Sequence, residues 1–141
     1  MKDGRDVIGC MRSLLNELED EDVGMDQDDV RRLRGAKMPH WLFEAINNIL
    51  EGYHDREKSV GRADIPPLVR AEYERMNRIV DRSVEEVYFG CAADVQRVLL
   101  EDLIAGRGWN KSVVSGMFGE RMYYRLKKQC YLYIAARLGL I

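Results

Sequence analysis

The sequence predicts an all-α protein in which an N-terminal helical bundle or long helix pair is followed by a C-terminal helix-turn-helix. Apolar residues recur in steps of three and four along most of the chain, as they do on the buried face of a helix. Alternating apolar and polar runs bounded by turn residues, the pattern of strands, do not occur. The 141 residues divide into a helical region with an acidic loop (1–61), a long linking helix (62–91) and a helix-turn-helix region (92–141).

The composition is that of a globular chain, with 46% hydrophobic and 33% charged residues. No apolar run is long enough to span a bilayer, and the first ten residues lack the apolar core of a signal peptide. We therefore expect a cytoplasmic protein with no membrane partner. Cys10, Cys91 and Cys130 form no CxxC pair and have no ligand-like spacing to the two histidines. We expect reduced thiols, and neither a metal nor another cofactor.

The two ends of the chain carry opposite charge, although the whole chain has a net charge of only −2. Residues 1–30 hold ten acids and three bases, a balance of −7, whereas residues 106–141 hold seven bases and one acid, a balance of +6. Nucleic-acid binding depends on a local positive surface and not on the chain average. The acidic average is therefore no argument against a DNA-binding C-terminal region.

Two N-terminal segments differ in character. Residues 19–29 are acidic and are predicted to form a loop. Such a run is usually a solvated linker, and the alternative is an acidic surface that contacts a basic partner or shields the C-terminal bases of the same chain. Residues 5–20 fit an amphipathic helix with the apolar positions Val7, Ile8, Met11, Leu14, Leu15 and Leu18.

Prolines mark the start of two central helices. Pro66 and Pro67 open the longer one, which runs from Val69 to Cys91 and has Tyr73, Val80 and Val87 seven residues apart. This seam either holds a homodimer together or packs inside the chain, and the second is favoured because the repeat is short and is then broken. Pro39 opens the other helix, whose apolar stripe comprises Leu42, Ile46, Ile49, Leu50 and Tyr53.

The last third is predicted to contain three helices, over residues 92–105, over residues 110–117 with Asn110 as N-cap, and from Gly119 or Glu120 towards the C-terminus. The third helix has two faces at about 100° per residue. Its predicted buried face consists of Met122, Leu126, Cys130, Tyr133, Ile134 and Leu138. Its predicted outer face carries Arg121, Tyr124, Arg125 and Lys128, at the spacing i, i+3, i+4, i+7.

The outer face has the chemistry of a DNA recognition helix. Arg and Lys bind phosphates and guanine edges, and Tyr bonds phosphate oxygens. The alternative is an ordinary surface helix with a basic face. Because Leu132 lies at an angle close to Arg125, DNA contacts should concentrate in the first two turns. With two bases of the preceding segment that are placed to meet phosphates, the candidate DNA-binding residues are Arg107, Lys111, Arg121, Tyr124, Arg125 and Lys128.

The segments GRGWNKSVVSGMF and RMYYRLKKQCYLYIAARLGLI resemble the phage-encoded late-transcription regulators of the RinA and ArpU type. The C-terminal part of that family is similar to the helix-turn-helix of sigma factor region four. The resemblance implies binding of double-stranded DNA near a promoter and contact with RNA polymerase. Family members usually have Ser or Thr where this chain has Gly119, which removes a side-chain cap. The matching positions are Trp109, then Tyr123, Tyr124 and Arg125, then Ala136, Arg137, Leu138, Gly139 and Leu140.

Other functions compete with this interpretation. A non-enzymatic helical protein-binding module would use the long seam and the acidic segment, and a small-terminase-like DNA packaging protein would share the DNA motif. An enzyme is not expected, because the sequence has no phosphate-binding glycine loop, no metal cluster and no Ser or Cys with a credible His partner. His54 and Asp55 could suggest a catalytic base and the carboxylate that orients it. Adjacent helix residues point in different directions, so this pair is poor evidence for catalysis.

Overall fold

The computed structural model describes residues 37–141, so the predicted helix over residues 5–20 and the acidic run over residues 19–29 lie outside the described residues. Every regular element in the described part is helical, which confirms the predicted all-α fold. None of these helices is long and apolar enough to cross a membrane. They are α1 (His40–Glu51), α2 (Tyr53–Val60), α3 (Pro67–Val87), α4 (Ala93–Ala105), a 3-10 helix (Trp109–Lys111) and α5 (Glu120–Arg137).

Local sequence signals set several helix ends. Pro39 precedes α1, and its carbonyl accepts hydrogen bonds from the N–H groups of Leu42 and Phe43, both at 3.1 Å. Pro67 is the first residue of α3, where the missing N–H costs no helical hydrogen bond. α4 ends at Gly106, which has a φ of 69° in the left-handed region that favours glycine. The two proline signals therefore act where the sequence predicted them.

The C-terminal half of α5 is the centre of the core. α1 and α3 both pack on α5, α2 packs along α3, and α4 packs against α1 and α3. Six consecutive residues, from Cys130 to Ala135, are buried, so this half of the helix has neighbours around its whole circumference. Phe43 of α1 stacks on Tyr131 with 5.2 Å between the ring centroids. The described part is therefore a helical bundle built around one helix.

The middle of the predicted seam is buried inside the chain, whereas Tyr73 and Val87 at its two ends are half-buried. Val80 has no exposed surface and Val84 is almost fully buried, while α3 contacts α2 on one side and α5 on another. The interpretation that favoured packing within the chain is thus confirmed for the middle of the helix. A homodimer formed through this helix would have to use its exposed ends, such as Leu68 and Val69, and not Val80.

A buried arginine joins the end of α5 to α3. The guanidinium of Arg137 donates to the hydroxyl of Ser83 at 3.0 Å and contacts the carboxylate of Glu86. Burial lowers the pKa of Arg137 from its usual value, and the charge of Glu86 opposes that shift. Arg137, one of the seven C-terminal bases, therefore serves the packing of the bundle and adds little to the surface charge.

Candidate nucleic-acid interface

The first turns of α5 carry the exposed basic residues. Arg121, Tyr124 and Arg125 are exposed and lie on one side of the helix, as their spacing predicted. Lys128, one turn further along, is half-buried. Leu132, two turns beyond Arg125, is fully buried, so the basic surface ends there. The face is thus confined to the N-terminal half of α5, as the position of Leu132 led us to expect.

The opposite face of α5 differs from the prediction at its N-terminal end. Met122 was expected to be buried and is 43% exposed. Tyr123 is buried instead, with its hydroxyl turned towards the loop that precedes α5. The prediction was wrong here because no described helix covers Met122, whereas the loop covers Tyr123.

The predicted α-helix over residues 110–117 does not form. A single 3-10 turn covers Trp109–Lys111, and the chain then continues in turns to Gly119. Asn110 lies within this 3-10 turn and is not an N-cap. The hydroxyl of Ser112 accepts a hydrogen bond from the N–H of Val114 at 3.2 Å, a local bond that competes with a helix. The described residues therefore have a long loop before α5 where a helix and a tight turn were expected.

A buried carboxylate organises that loop. Asp102, on α4, is 2% exposed and accepts hydrogen bonds from the hydroxyls of Ser112 at 2.5 Å and Tyr123 at 3.1 Å. It also accepts one from the guanidinium of Arg107 at 3.0 Å. Burial, together with the charge and hydrogen bond of Asp102, raises the pKa of Tyr123 to about 12. Three parts of the C-terminal region thus meet at one side chain.

The contact with Asp102 changes what Arg107 can do. Its side chain remains about half exposed, but one guanidinium nitrogen is already paired with the carboxylate. Part of its charge is compensated by Asp102, which makes Arg107 less suited to a phosphate than the sequence suggested. Lys111, at the end of the 3-10 turn, is exposed and is placed by the same loop.

A second set of contacts holds the loop against the start of α5. The backbone N–H of Trp109 donates to the hydroxyl of Tyr124 at 3.1 Å, and the indole N–H of Trp109 donates to the carbonyl of Phe118 at 2.7 Å. The approach is close, since a Cβ placed on Gly108 would lie 2.9 Å from the same hydroxyl. Tyr124 therefore joins the loop to α5, with its hydroxyl as the acceptor of this contact.

Sequence reasoning missed Asp102, Ser112 and Tyr123 as the residues that shape this surface. A signal was present: Asp102 follows Leu99 by three residues and precedes Leu103 by one, on the apolar stripe of α4. An acid on a buried stripe needs hydrogen-bond donors, because an unpaired buried charge is costly. The sequence could have predicted that Asp102 has partners, but not which ones.

The described part of the chain contains no group of three potential metal ligands. His54 does not pair with Asp55, and its ring nitrogens lie 2.9 Å from Glu101 and 3.2 Å from Glu57. Comparison with known proteins finds no family model, no characterised protein and no solved structure that matches this chain. The candidate interface is therefore judged on its own geometry.

Proposed function

We propose that the protein is a phage-type transcription regulator that binds duplex DNA with the first turns of α5 and the loop before it. The observation that supports this most is the exposed row of Arg121, Tyr124 and Arg125, with Lys111 on the loop that Tyr124 holds in place. Positive side chains gain affinity from phosphates by releasing counterions, and arginine also reads guanine edges.

The residues divide into two roles. Arg121 and Arg125, on the outer face of α5, are suited to base edges in the major groove or to the phosphates beside it. Tyr124 accepts from the Trp109 N–H, and a tyrosine hydroxyl can also donate to a phosphate oxygen. Lys111 supplies a flanking phosphate contact, while Arg107 and Lys128 contribute less because one is paired with Asp102 and the other is half-buried.

The resemblance to regulators of the RinA and ArpU type implies the same function and adds RNA polymerase as a partner, but the helix expected over residues 110–117 of its helix-turn-helix is a loop in this chain. Of the residues that carry the resemblance, Tyr123 and Arg137 are buried and contribute to packing. Tyr124 and Arg125 are exposed and remain available to a ligand. The polymerase contact rests on the resemblance alone, whereas the DNA contact also rests on this exposed surface.

The test is fluorescence anisotropy of a labelled duplex titrated with the full chain at two salt concentrations. Arg121→Ala and Arg125→Ala should each weaken binding by about 1–3 kcal/mol where the residue reads a base. Where the residue contacts only phosphate, its replacement by alanine should lower the affinity for every DNA sequence and reduce the salt slope by about one. Arg62→Ala is the matched control, because Arg62 is exposed in the connection between α2 and α3. Wild-type affinity in both α5 variants would remove this face from the DNA-binding surface.

A protein-binding role is the second candidate. Exposed apolar side chains flank the basic row, namely Val113 and Met117 on the loop and Met122 on α5. Exposed apolar patches are typical of protein-binding surfaces. Binding to a protein partner that is lost in Met117→Asp, with no measurable DNA affinity in the wild type, would favour this function.

A further inference from the structure

An open groove runs between the end of α3 and the middle of α5, from Arg125 to Tyr133. Its volume is about 580 Å³. Met122 lies one turn before Leu126 on the same side of α5 and is exposed, so the apolar row continues past the groove towards the start of the helix. The groove is lined by Glu86, Val87, Arg125, Leu126, Gln129 and Tyr133.

The charge beside this groove is positive. Arg125 lies on its rim, and Arg121 and Lys128 share the adjoining face of α5. The acid on the other rim, Glu86, is in contact with Arg137, so its charge is compensated. A segment with both apolar and acidic residues would therefore be complementary to this surface. Its apolar side chains would pack in the groove, and its acids would lie near the basic residues beside it.

The chain itself contains such a segment outside the described residues. Residues 5–20 place six apolar side chains at helical spacing, and the acidic run over residues 19–29 follows directly. A helix of 16 residues would be about 24 Å long, close to the length of α5 at about 27 Å. An amphipathic helix gains most of its stability by burying its apolar face, so it needs a surface of this kind.

The connection is long enough to reach the groove. Residues 21–36 separate this segment from the described part, and an extended chain of that length spans roughly 50 Å. A compact unit of the described size has a radius of gyration of about 13 Å. The segment can therefore reach any side of the bundle, including the one away from α1.

We propose that residues 5–20 of this chain dock as an amphipathic helix in the groove between α3 and α5, with their apolar side chains against Met122 and Leu126. The acidic run over residues 19–29 then lies over Arg121 and Arg125. If those residues bind DNA, a consequence that rests on the proposed function, the N-terminal segment competes with DNA for the same surface.

Docking is tested by paramagnetic broadening in the NMR spectrum of the full chain. A spin label is attached at Ser13→Cys, on the polar side of the segment, with Cys10→Ser and Cys91→Ser. Cys130 does not react, because it is buried and burial raises the pKa of its thiol to about 12. The amide signals of Leu126 and Gln129 should broaden, while those near Asp64 should not, since α3 places its two ends about 30 Å apart.

Met122→Asp should remove this broadening, because it puts an acid in the apolar row at a position exposed enough for the fold to tolerate it. Leu68→Asp, an equal change at an exposed position at the start of α3, should leave the broadening intact. An absence of broadening at Leu126 and Gln129 in the wild-type background would overturn the docking. Broadening of an isotope-labelled chain by a spin-labelled second copy would overturn docking within one chain.

A second measurement separates docking from DNA binding. Neutralising the first four of the seven acids in the run, by Glu19→Gln, Asp20→Asn, Glu21→Gln and Asp22→Asn, should raise the affinity for duplex DNA by about 5- to 10-fold at low salt. Unchanged affinity in this variant would overturn the competition. If no chain binds DNA but the broadening is present and sensitive to Met122→Asp, the proposed function fails and the docking stands.

Discussion

The two halves of α5 differ both in charge and in surroundings, since Glu120 to Gln129 includes five charged residues and Cys130 to Ala135 includes none. The half from Cys130 to Ala135 is buried on all sides, whereas in the half from Glu120 to Gln129 only Tyr123 is buried and the residues from Leu126 to Gln129 are half-buried. Arginine follows this division: Arg137 is buried against Ser83 and Glu86, and Arg125 is exposed. The position of a basic residue along α5 therefore decides its role: near the C-terminal end it stabilises the bundle, and in the first turns it is exposed to a ligand.

The largest expected effect comes from truncating the buried half. Leu132→Ala should lower the free energy of unfolding by about 2–5 kcal/mol, because Leu132 has no exposed surface and the cavity left behind cannot fill with other side chains. Urea unfolding of the full chain measures this change.

The matched control is the exposed half of the same helix. Arg121→Ala should change the free energy of unfolding by no more than about 0.5 kcal/mol, because Arg121 is an exposed surface charge and alanine is a good helix former. Equal losses in the two variants would mean that the exposed half is covered as fully as the buried half. The contrast between the halves would then be wrong.

The conformation of the loop before α5 should depend on the buried carboxylate of Asp102. Asp102→Asn keeps the shape of the side chain but removes the charge that Arg107, Ser112 and Tyr123 share. We expect a loss of about 1–3 kcal/mol in the free energy of unfolding, the range for charge-assisted hydrogen bonds to a buried group. The indole N–H signal of Trp109 should shift at the same time, because the loop holds that group against Phe118.

Asp64→Asn provides the comparison for Asp102→Asn. Asp64 is exposed, and its pairing with Arg62 lies on the surface, so its neutralisation should have little effect on stability. A shift of the Trp109 signal in Asp64→Asn as large as that in Asp102→Asn would show that the signal does not report on the loop.

The sequence predicted the helices that bury a regular apolar stripe. It did not predict the segments whose conformation depends on a single side-chain contact. The stripe Leu42, Ile46 and Leu50 on α1 is buried as its spacing indicated, because a helix between other helices buries one continuous side. The segment over residues 110–117 had a plausible cap and helical spacing, yet Ser112 bonds to Asp102 on a different helix. Periodicity carries no information about such a pair, since the two residues meet only in the folded chain.

The part of the candidate surface that lies on α5 was predictable from helical spacing, whereas the contacts of the loop were not. The spacing of Arg121, Tyr124 and Arg125 placed them on one side of α5, and the position of Leu132 indicated where that side becomes buried. The partial neutralisation of Arg107 and the tie between Tyr124 and Trp109 were not predictable. Both depend on how the loop folds back on α4 and α5.

The smallest expected effect concerns an ionic contact near the surface, in contrast to the buried pair of Arg137. The hydrogen bond to Glu101, and then that to Glu57, raises the pKa of His54 above its ordinary value. The stabilisation from charged His54 is therefore fully present below its unfolded pKa, near 6.5, and is lost as the pH rises through the higher folded value.

His54→Gln should remove this pH dependence with a change below about 1 kcal/mol, because the side chains of His54 and Glu101 are both partly exposed and screened by solvent. NMR titration of the His54 ring in the wild type measures the folded pKa, and urea unfolding at pH 6 and pH 8 compares the two proteins. A folded pKa at or below the ordinary value would contradict the contact with Glu101. Because this contact joins α2 to α4, its loss should leave the signals of Tyr124 and Arg125 unchanged.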